Sequence, residues 1–298
     1  MNLIRGGPTS SVAVMLKVKF SKIESIGNDY LYIDDLRQDL KGRELSGLAT
    51  EMCDRQRGVG ADGLILFKII GPGHYSVRIF NPDGSETGMC GNGIRGAVAF
   101  AYNVGYTKRK VVRVDTKSVT SISEILRTGG DGKPYTIRTD LGSPDLKKKS
   151  LPMKGEGETH IGKPVMIGGR KIELSALSIG NPHAVLFVDD FDFDWRQLGH
   201  EIQESGYFPE GVNVSFALVK NRGRLALKVL ERGAGATLAC ASGAAAAVTS
   251  GAMLDLISHQ AVVELPGGEL AVDWKDSDDH IHITGQSRPV CRGEFFST

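Results

Sequence analysis

Two cysteines of this chain end segments that are copies of each other. The first segment is Arg78–Cys90 and the second is Lys228–Cys240, and each position of the second lies 150 residues after its counterpart. Each segment begins with a basic and an aliphatic residue, passes a polar pair and glycines, and precedes a run of small residues that predicts a helix. We interpret both as strand–loop–helix units that place Cys90 and Cys240 at helix N-termini, facing each other across one substrate carbon.

A thiol at a helix N-terminus has a defined chemistry. Unpaired backbone N–H groups and the helix dipole favour a carboxylate there, and they lower the pKa of a thiol below its free value of about 8.5. A carboxylate held between two such ends would leave one thiolate and one thiol beside the adjacent carbon. A proton could then leave from one face of that carbon and return on the other. The glycines Gly91, Gly93 and Gly243 allow the backbone to approach the carboxylate closely.

Polar residues near the cysteine units are candidates for binding the rest of a substrate. Asn81 and Glu231 occupy equivalent positions, and Arg232 follows at the end of an apolar strand pattern. Amide side chains bind both ammonium and carboxylate groups, so several asparagines with one glutamate and one arginine suit an amino acid. The other members of this set are Asn28, Asn181, His183 and Asn213.

A purely local role is also open for part of this set. Asn81 lies in an Asn-Pro-Asp-Gly turn, and the side chains of Asn28 and Asn181 can cap turns. His183 can equally be a loop histidine whose hydrogen bonds are satisfied locally.

The repeat extends beyond the cysteine units. The tetrapeptide Ser-Ile-Gly-Asn occurs at 25–28 and again at 178–181, each time between strand patterns. Amphipathic patterns predict a helix near 41–55 and its counterpart near 194–204. Each copy is predicted to close with a hairpin, between strands at 111–114 and 135–142 in the first and at 261–265 and 280–285 in the second.

This duplication predicts an α+β fold of two structurally similar tandem domains, related by a pseudo-twofold axis. We expect the domains to span 15–150 and 151–298, with residues 1–14 as an extension of unknown role. The join near 144–163 is rich in Gly, Pro and Lys, and its basic run at 147–149 is interpreted as a solvated linker. A ligand site in the cleft between the two domains is the default expectation.

The composition excludes several classes of protein. The 298 residues carry a net charge of +1, with 41% hydrophobic and 24% charged residues, so neither nucleic acid nor an anionic membrane is an expected partner. The cysteines Cys53, Cys90, Cys240 and Cys291 lack the close spacing of a zinc site, and no metal is expected. Their small number favours the reducing cytoplasm over a disulfide scaffold. Cys53 and Cys291 have no repeat partner and are interpreted as structural.

These segments resemble the diaminopimelate epimerase family over nearly the whole chain, from Lys17 to Phe295. The asparagine of Met-Cys-Gly-Asn-Gly, where proline racemases have histidine, separates the chain from that sister family. The resemblance rests on these motifs: Gly27-Asn-Asp-Tyr30, Asp54-Arg55, Gly58-Val-Gly-Ala-Asp-Gly63, Arg78-Ile-Phe-Asn-Pro-Asp-Gly-Ser-Glu86, Met89-Cys-Gly-Asn-Gly93, Gly180-Asn-Pro-His183, Phe208-Pro-Glu-Gly-Val-Asn213, Glu231-Arg-Gly233 and Ala239-Cys240.

The resemblance implies an isomerase that interconverts LL- and meso-diaminopimelate, in lysine and peptidoglycan precursor biosynthesis, without pyridoxal phosphate or another cofactor. Cys90 and Cys240 would be the acid/base pair, with Cys90 as proton donor and Cys240 as acceptor in one direction. His183 and Glu231 would tune the two thiols. The family also implies a homodimer. Binding roles are implied as well: backbone N–H groups of Gly91, Asn92, Ala241 and Ser242 for the reacting carboxylate, and side chains of Asn28, Asn81, Asn181, Asn213, Glu231 and Arg232 for the remaining charged groups.

Four positions depart from the family's pattern. Ala236 replaces a glutamate, Ala241 and Ala245 stand at a glycine and a cysteine position, and Gly96 replaces a cysteine. The lost carboxylate leaves open a two-thiol racemase of another amino acid, such as histidine, which would keep both cysteines and change the distal pocket. A non-catalytic amino-acid-binding descendant and a dehydratase are further alternatives, and the presence of both thiols argues against these two.

Overall fold

The computed structural model describes residues 16–35, 38, 40, 44–130 and 132–297. The predicted extension 1–14 and the start of the helix predicted from residue 41 lie outside the described residues. The first half contains β1 (Leu16–Ser25), β2 (Asn28–Asp34), α1 (Leu45–Cys53), β3 (Gly63–Gly71), β4 (His74–Phe80), β5 (Glu86–Thr87), α2 (Gly91–Asn103), β6 (Val111–Asp115), β7 (Thr120–Arg127) and β8 (Tyr135–Asp140). The second half contains β9 (His160–Ile167), β10 (Arg170–Ser178), β11 (Pro182–Phe187), α3 (Trp195–Glu204), β12 (Asn213–Asn221), β13 (Arg224–Glu231), β14 (Gly235–Thr237), α4 (Ala241–Met253), β15 (Gln260–Leu265), β16 (Gly268–Trp274) and β17 (Ile281–Ser297).

The two halves pair their strands in the same way. In the first half β1 is antiparallel to β2, β2 is parallel to β3, β3 is antiparallel to β4, and β4 is parallel to β6. In the second half β10, β11, β12, β13 and β15 repeat this pattern. The predicted α+β fold of two similar tandem domains is therefore confirmed in element order and pairing. Their relation by a pseudo-twofold axis stays a prediction.

The helices α2 and α4 are buried along most of their length. Residues 91–101 and 241–251 are all buried, which only small side chains allow when strands pack on several sides of a helix. At Gly96, for example, a Cβ atom would lie 2.0 Å from the hydroxyl oxygen of Tyr32. Within the described ranges no helix has the length and apolar character that a membrane span needs.

The last strand, β17, is shared between the halves. Its first part pairs with both β16 and β8, and its second part, up to Ser297, pairs antiparallel with β1. Because the strands from β1 to β8 are paired in series through β6 and β7, β17 closes the strands of the first half into a ring. The domain limits 15–150 and 151–298 stay a prediction, to which the structure adds that the C-terminal strand pairs with strands of the first half.

The predicted closing hairpins are wrong in both halves, because a further strand lies inside each. β7 lies between β6 and β8, and β16 lies between β15 and β17. On β7 the usual alternation is inverted. Ser121 and Ser123 are buried, whereas Ile122 and Leu126 are exposed. This segment therefore lacks the alternation of buried apolar and exposed polar residues that would predict a strand with one buried face.

The basic run at 147–149 is not the solvated linker that its charge suggests. Lys148 to Ser150 form a 3-10 turn, and Lys148 is only 5% exposed. The Nζ atom of Lys148 donates a hydrogen bond of 2.8 Å to the carbonyl oxygen of Glu156. This bond gives the buried ammonium group a hydrogen-bond acceptor. It also connects two parts of the segment that joins the halves.

Candidate active site

Cys90 caps the N-terminus of α2. Its backbone is extended, and its Sγ accepts a hydrogen bond of 3.3 Å from the backbone N–H of Gly93. The hydroxyl oxygen of Tyr30 lies 3.1 Å from Sγ, and Oδ1 of Asn28 lies 4.0 Å from it. Both neighbours belong to β2, where residues two apart share a face. The strand therefore brings a hydroxyl and an amide to the thiol.

Cys240 caps α4 in the same manner. Its Sγ accepts a hydrogen bond of 3.4 Å from the backbone N–H of Gly243 and lies 3.6 Å from the hydroxyl oxygen of Ser242. The charge of the Glu231 carboxylate, at the end of β13, acts on this thiol. Oε1 of Glu231 also accepts a hydrogen bond of 2.6 Å from the hydroxyl of Thr237. A thiol and a carboxylate are thus direct neighbours on this side of the site.

The N-terminal ends of α2 and α4 are in contact. A Cβ atom added to Gly91 would lie 3.0 Å from the Cβ of Ala241. Across the same junction, Nδ2 of Asn92 donates a hydrogen bond of 3.1 Å to the carbonyl oxygen of Ala239. The charge of Glu231 acts on both Cys90 and Cys240. One cysteine from each half of the chain therefore lies at a single junction.

The predicted lowering of the thiol pKa is wrong for this structure. Burial raises the pKa of Cys90, and the hydrogen bonds from Tyr30 and Gly93 offset this only in part. Burial raises the pKa of Cys240 well above its ordinary value, and the charge of Glu231 adds to the effect. Burial also raises the pKa of Glu231 itself. Desolvation penalises the charged form of each group more than the helix ends favour it.

The backbone before Asn28 turns tightly. Ile26 and Gly27 form the two-residue turn between β1 and β2, and their φ angles are 49° and 87°. Two consecutive positive φ angles are typical of the hairpin turns that match strand twist, and they are rare for a residue such as isoleucine. The turn fixes Asn28 as the first residue of β2.

The side chain of Asn28 is held on both of its polar atoms. Its Nδ2 donates a hydrogen bond of 2.8 Å to Oδ2 of Asp62, and its Oδ1 accepts one of 3.2 Å from Nδ2 of Asn92. Asp62 forms an ion pair of 2.7 Å with Arg55, which also binds Asp29 at 2.8 Å. The segment that follows α1 thus orients the Asn28 amide beside Cys90.

A second cluster of polar residues lies at the start of the parallel strands β11 and β12. His183 and Asn213 are paired in register, and Oδ1 of Asn213 accepts a hydrogen bond of 2.8 Å from the backbone N–H of Arg232. The Nε2 atom of buried His183 lies 3.0 Å from Oδ1 of Asn181. Burial, aided by the charge of Arg232, lowers the pKa of His183 to about 3. Its imidazole is neutral at pH 7, and its expected effect on the thiols stays a prediction.

Asn81 is engaged locally. Its backbone N–H donates a hydrogen bond of 2.8 Å to the carbonyl oxygen of Ser85, and its Nδ2 donates one of 2.9 Å to the Ser85 hydroxyl. The turn role left open by the sequence is therefore confirmed. A contact between Asn81 and a ligand stays a prediction.

The first backbone N–H groups of α2 and α4 are free. In the described parts of the chain these groups have no hydrogen-bond acceptor, whereas the N–H groups of the third helical residues bind the cysteine sulfurs. The four groups belong to Gly91, Asn92, Ala241 and Ser242. Among the same described residues, no group of three or more His, Cys, Asp or Glu side chains is arranged to hold a metal ion.

The remaining two cysteines differ from each other. Cys53 is buried in the apolar core beside α1, and burial raises its pKa to about 12, so its structural role is confirmed. Cys291 is exposed on β17, and its structural interpretation stays a prediction. All four thiols are free.

Sequence reasoning missed three residues of this site. Tyr30 touches a cysteine sulfur, Asp62 holds Asn28, and Arg95 is buried in the first turns of α2. For Tyr30 a signal existed, since it lies two residues after Asn28 on a predicted strand and therefore shares its face. For Arg95 the signal was a lone basic residue in a helix of small residues.

The sequence profile of the family described as diaminopimelate epimerase matches residues 20–146 and 175–290. The chain belongs to the diaminopimelate epimerase family. It is 37% identical over 277 residues to the diaminopimelate epimerase of Pelotomaculum thermopropionicum, a match covering 93% of this chain and 98% of that one. It is 36% identical over 277 residues to the diaminopimelate epimerase of Moorella thermoacetica, with coverage of 93% and 98%.

Solved structures of related enzymes share the fold. A hydroxyproline epimerase from Agrobacterium vitis superimposes with a TM-score of 0.69 at 12% identity, covering 94% of this chain and 91% of that one. A probable proline racemase from Agrobacterium radiobacter gives a TM-score of 0.68 at 13% identity, covering 93% and 92%. The two-domain arrangement of diaminopimelate epimerases therefore extends to enzymes of low sequence identity.

The departures from the diaminopimelate epimerase pattern have identifiable surroundings. Ala236 is exposed on β14, paired with Leu230 and next to Thr237, the hydrogen-bond donor to Glu231. The methyl group of Ala241 contacts the Gly91 position. Ala236 therefore lies on the short strand before Cys240, and Ala241 lies directly after Cys240 as the first residue of α4.

The other two departures lie inside the helices. At Gly96 a side chain would collide with Tyr32, whose hydroxyl donates a hydrogen bond of 2.9 Å to the carbonyl oxygen of Gly93. The cysteine that the family's pattern often has at this position would be incompatible with this placement of Tyr32. Ala245 is fully buried in the core around α4, where its methyl group packs among apolar side chains.

Proposed function

We propose that this member of the diaminopimelate epimerase family interconverts LL- and meso-diaminopimelate by transferring the α-proton between Cys90 and Cys240, without a cofactor or metal. The observation that carries the proposal is the meeting of two cysteine-capped helix N-termini at one junction. Family membership, with relatives that bear this enzyme's name, supports the same reaction.

The helix ends provide the electrostatic part of the reaction. The substrate's α-carboxylate would accept hydrogen bonds from the free N–H groups of Gly91, Asn92, Ala241 and Ser242, at two positive dipole ends. Removing the α-proton places negative charge on that carboxylate, and donors already in place stabilise this charge without reorganisation. This arrangement acidifies the α-carbon and explains why a thiolate suffices as base.

The two cysteines share the proton transfer. A thiolate on one face takes the α-proton, and the thiol on the opposite face donates its own proton to the carbon, which inverts the stereocentre. Neither group has to move between faces. Each turnover exchanges the protonation states of Cys90 and Cys240, so the same pair serves both directions. The charge of Glu231 raises the pKa of Cys240 and so favours its protonated form.

The distal part of the substrate carries a second ammonium and a second carboxylate group. Asparagine amides can bind both groups, Glu231 suits the ammonium group, and Arg232 suits the carboxylate. His183 would act on the thiols through its neutral imidazole. The proposed side-chain ligands are Asn28, Asn81, Asn181, Asn213, Glu231 and Arg232.

A two-thiol racemase of another amino acid is the second candidate. The observation that favours it is Ala236, which lacks the carboxylate of the family pattern and lies next to the Thr237–Glu231 hydrogen bond. The cysteine pair would operate unchanged, and only the distal group recognised would differ.

We also propose that the protein is cytoplasmic and acts as a homodimer. The four free thiols fit a reducing compartment. Val290 and Phe296 are exposed apolar side chains of β17 and offer apolar surface to a second copy. Sedimentation of the purified protein distinguishes a dimer from a monomer.

Isotope exchange tests the proposed reaction. The protein is incubated in deuterated water with a panel that contains LL- and meso-diaminopimelate, L-histidine, L-proline and L-glutamate. Deuterium at the α-carbon of diaminopimelate, with epimerisation, is the expected result. Exchange into histidine alone would support the second candidate, and no exchange into any member would contradict both.

A further inference from the structure

The guanidinium group of Arg95 is buried without a counter-ion. The residue is 0% exposed, and among the described residues no carboxylate lies within ion-pair distance of it. Its Nη2 donates a hydrogen bond of 2.5 Å to Oδ1 of Asn92, while Nε and Nη1 have no partner. A buried charge without a partner is costly, and therefore a nearby anion is expected to compensate it.

The groups that interact electrostatically with Arg95 are the Cys90 thiol and the Tyr32 hydroxyl. Tyr32 is an unsuitable anion, because burial raises its pKa well above the ordinary value and its hydroxyl donates to the Gly93 carbonyl. Cys90 lies within the same first turns of α2. A thiolate at Cys90 is therefore the natural counter-ion of Arg95.

Tyr30 adds a directional contact to the same sulfur. Its hydroxyl oxygen lies 3.1 Å from Sγ of Cys90, and the ring is buried against β3 and α2 in the apolar core. A hydrogen bond from a hydroxyl to a sulfur is stronger when the sulfur is ionised, because charge-assisted hydrogen bonds are stronger than neutral ones. This contact favours the thiolate over the thiol.

Cys240 has the opposite surroundings. Its neighbours are the Glu231 carboxylate and the Ser242 hydroxyl, and no cation acts on it. A carboxylate accepts a hydrogen bond from a neutral thiol and repels a thiolate. The two cysteines are equivalent in sequence and in helix position, and the charge of Glu231 acts on both, but only Cys90 also has a buried cation and a tyrosine hydroxyl acting on it.

We propose that Cys90 is the more readily ionised thiol of the pair, with Tyr30 as hydrogen-bond donor to its sulfur and Arg95 as the buried counter-ion of its thiolate, while Cys240 keeps its proton. Tyr30 is then a catalytic residue, since it touches the reacting sulfur, and Arg95 is a positioning residue that acts through Cys90. The inference rests on the proposed function and specifies which thiol accepts the first proton. In that step Cys90 gains the α-proton, Cys240 loses its proton to the carbon, and the negative charge passes from one sulfur to the other.

Alkylation without substrate tests the assignment. The full chain is treated with iodoacetamide between pH 6 and 10, digested, and each cysteine-containing peptide is quantified by mass spectrometry. Only thiolates react, so the pH at which alkylation of a cysteine reaches half its maximal rate reports the ionisation of that thiol. Limited access of the reagent lowers the rate by the same factor at every pH and therefore does not move this midpoint. We expect Cys90 to react with a lower midpoint than Cys240. A lower midpoint for Cys240 would overturn the proposal.

Tyr30→Phe and Tyr32→Phe form a matched pair. Each removes one buried hydroxyl from β2 beside α2, but only Tyr30 contacts the sulfur. We expect Tyr30→Phe to slow Cys90 alkylation at pH 7 about tenfold and to raise its midpoint, as loss of one charge-assisted hydrogen bond requires. Tyr32→Phe is expected to leave both unchanged. Equal behaviour of the two variants would refute the role of Tyr30.

Arg95→Gln and Arg95→Lys test the counter-ion. The glutamine variant is expected to raise the Cys90 midpoint, and the lysine variant, which keeps the charge, to remain near the wild type. Identical midpoints in all three proteins would exclude Arg95. If the glutamine variant does not fold, the Tyr30 pair and the lysine variant still decide the proposal. Because alkylation needs no substrate, failure of deuterium exchange contradicts the proposed function without touching this result.

Discussion

The side-chain amide of Asn92 donates a hydrogen bond of 3.1 Å to the carbonyl oxygen of Ala239, and so joins the first turn of α2 to the residue before Cys240. The same side chain donates to Asn28 and accepts from Arg95. Asn92 therefore connects groups on both sides of the junction between the halves, and its backbone N–H remains available for a ligand.

Replacing Asn92 with alanine is expected to destabilise the protein and to impair turnover. The variant leaves Asn28, Arg95 and the Ala239 carbonyl each short of a buried partner, at a cost of about 1–3 kcal/mol in unfolding free energy. Urea unfolding and the rate of deuterium exchange measure the two effects. Asn103→Ala, at the other end of α2, is the control and should change neither. Equal losses in both variants would show that the helix, not the junction, is affected.

Serine at either catalytic position is expected to abolish turnover with the fold intact. A hydroxyl at Cys90 or Cys240 retains the helix cap, but it is a far weaker acid than a thiol and stays protonated at neutral pH, so epimerisation should fall at least about 100-fold. Cys291→Ser, at the exposed thiol on β17, serves as control and should epimerise at the wild-type rate. Circular dichroism confirms folding. Undiminished epimerisation by either of the first two variants would disprove the two-thiol mechanism.

Gly91→Ala is expected to damage the junction, and Ala241→Gly to repair it. A Cβ atom on Gly91 would lie 3.0 Å from the Cβ of Ala241, which is closer than packed methyl groups allow. The single variant should lose about 1–3 kcal/mol of stability together with activity. The double variant Gly91→Ala with Ala241→Gly should regain most of both. Additive losses in this double-mutant cycle would mean that the two positions do not touch in solution.

His183 is expected to make the protein sensitive to acid. Its folded-state pKa is lowered to about 3, whereas the unfolded chain takes up the proton below about pH 6.5. The stability that it contributes is present above pH 6.5 and lost as the pH falls toward 3, by roughly 5 kcal/mol in all. In His183→Gln the unfolding free energy should therefore decline less steeply between pH 6.5 and 4.

His280 is the control of opposite sign. A hydrogen bond to Asp140 raises the pKa of His280, so its contribution is present below pH 6.5 and lost as the pH rises through the folded-state pKa. His280→Gln should leave the slope below pH 6.5 unchanged. A similar change of slope in both variants would contradict the assignment to the buried histidine.

The sequence was sufficient to predict the parts of the site that occur in both copies of the repeat. The two cysteine units and the two Ser-Ile-Gly-Asn turns were visible because each copy supports the interpretation of the other. Groups without a copy were harder to predict. Asp62 orients Asn28 across 34 residues of chain, and nothing local indicates that contact.

The failures have a common physical cause. Each wrong prediction concerned whether a side chain is buried. A sequence pattern indicates the polarity of a residue directly, but its burial only indirectly. Ser121 and Ser123 are buried where apolar residues were expected, Lys148 is buried in a basic run, and desolvation reverses the expected pKa shift of both thiols. Helix position was correctly predicted for Cys90 and Cys240, but the solvent exclusion around them depends on strands from both halves.

The pairing of Leu16 with Ser297 has a consequence for biosynthesis. A ribosome makes β1 long before its partner β17, so the strands of the first half cannot close into their ring until β17 has been synthesised. Until then, the nascent chain presents an unpaired strand edge, the kind of surface that recruits other strands or chaperones. A truncation before Ile281 should therefore be damaging, although it leaves every strand from β1 to β8 in place.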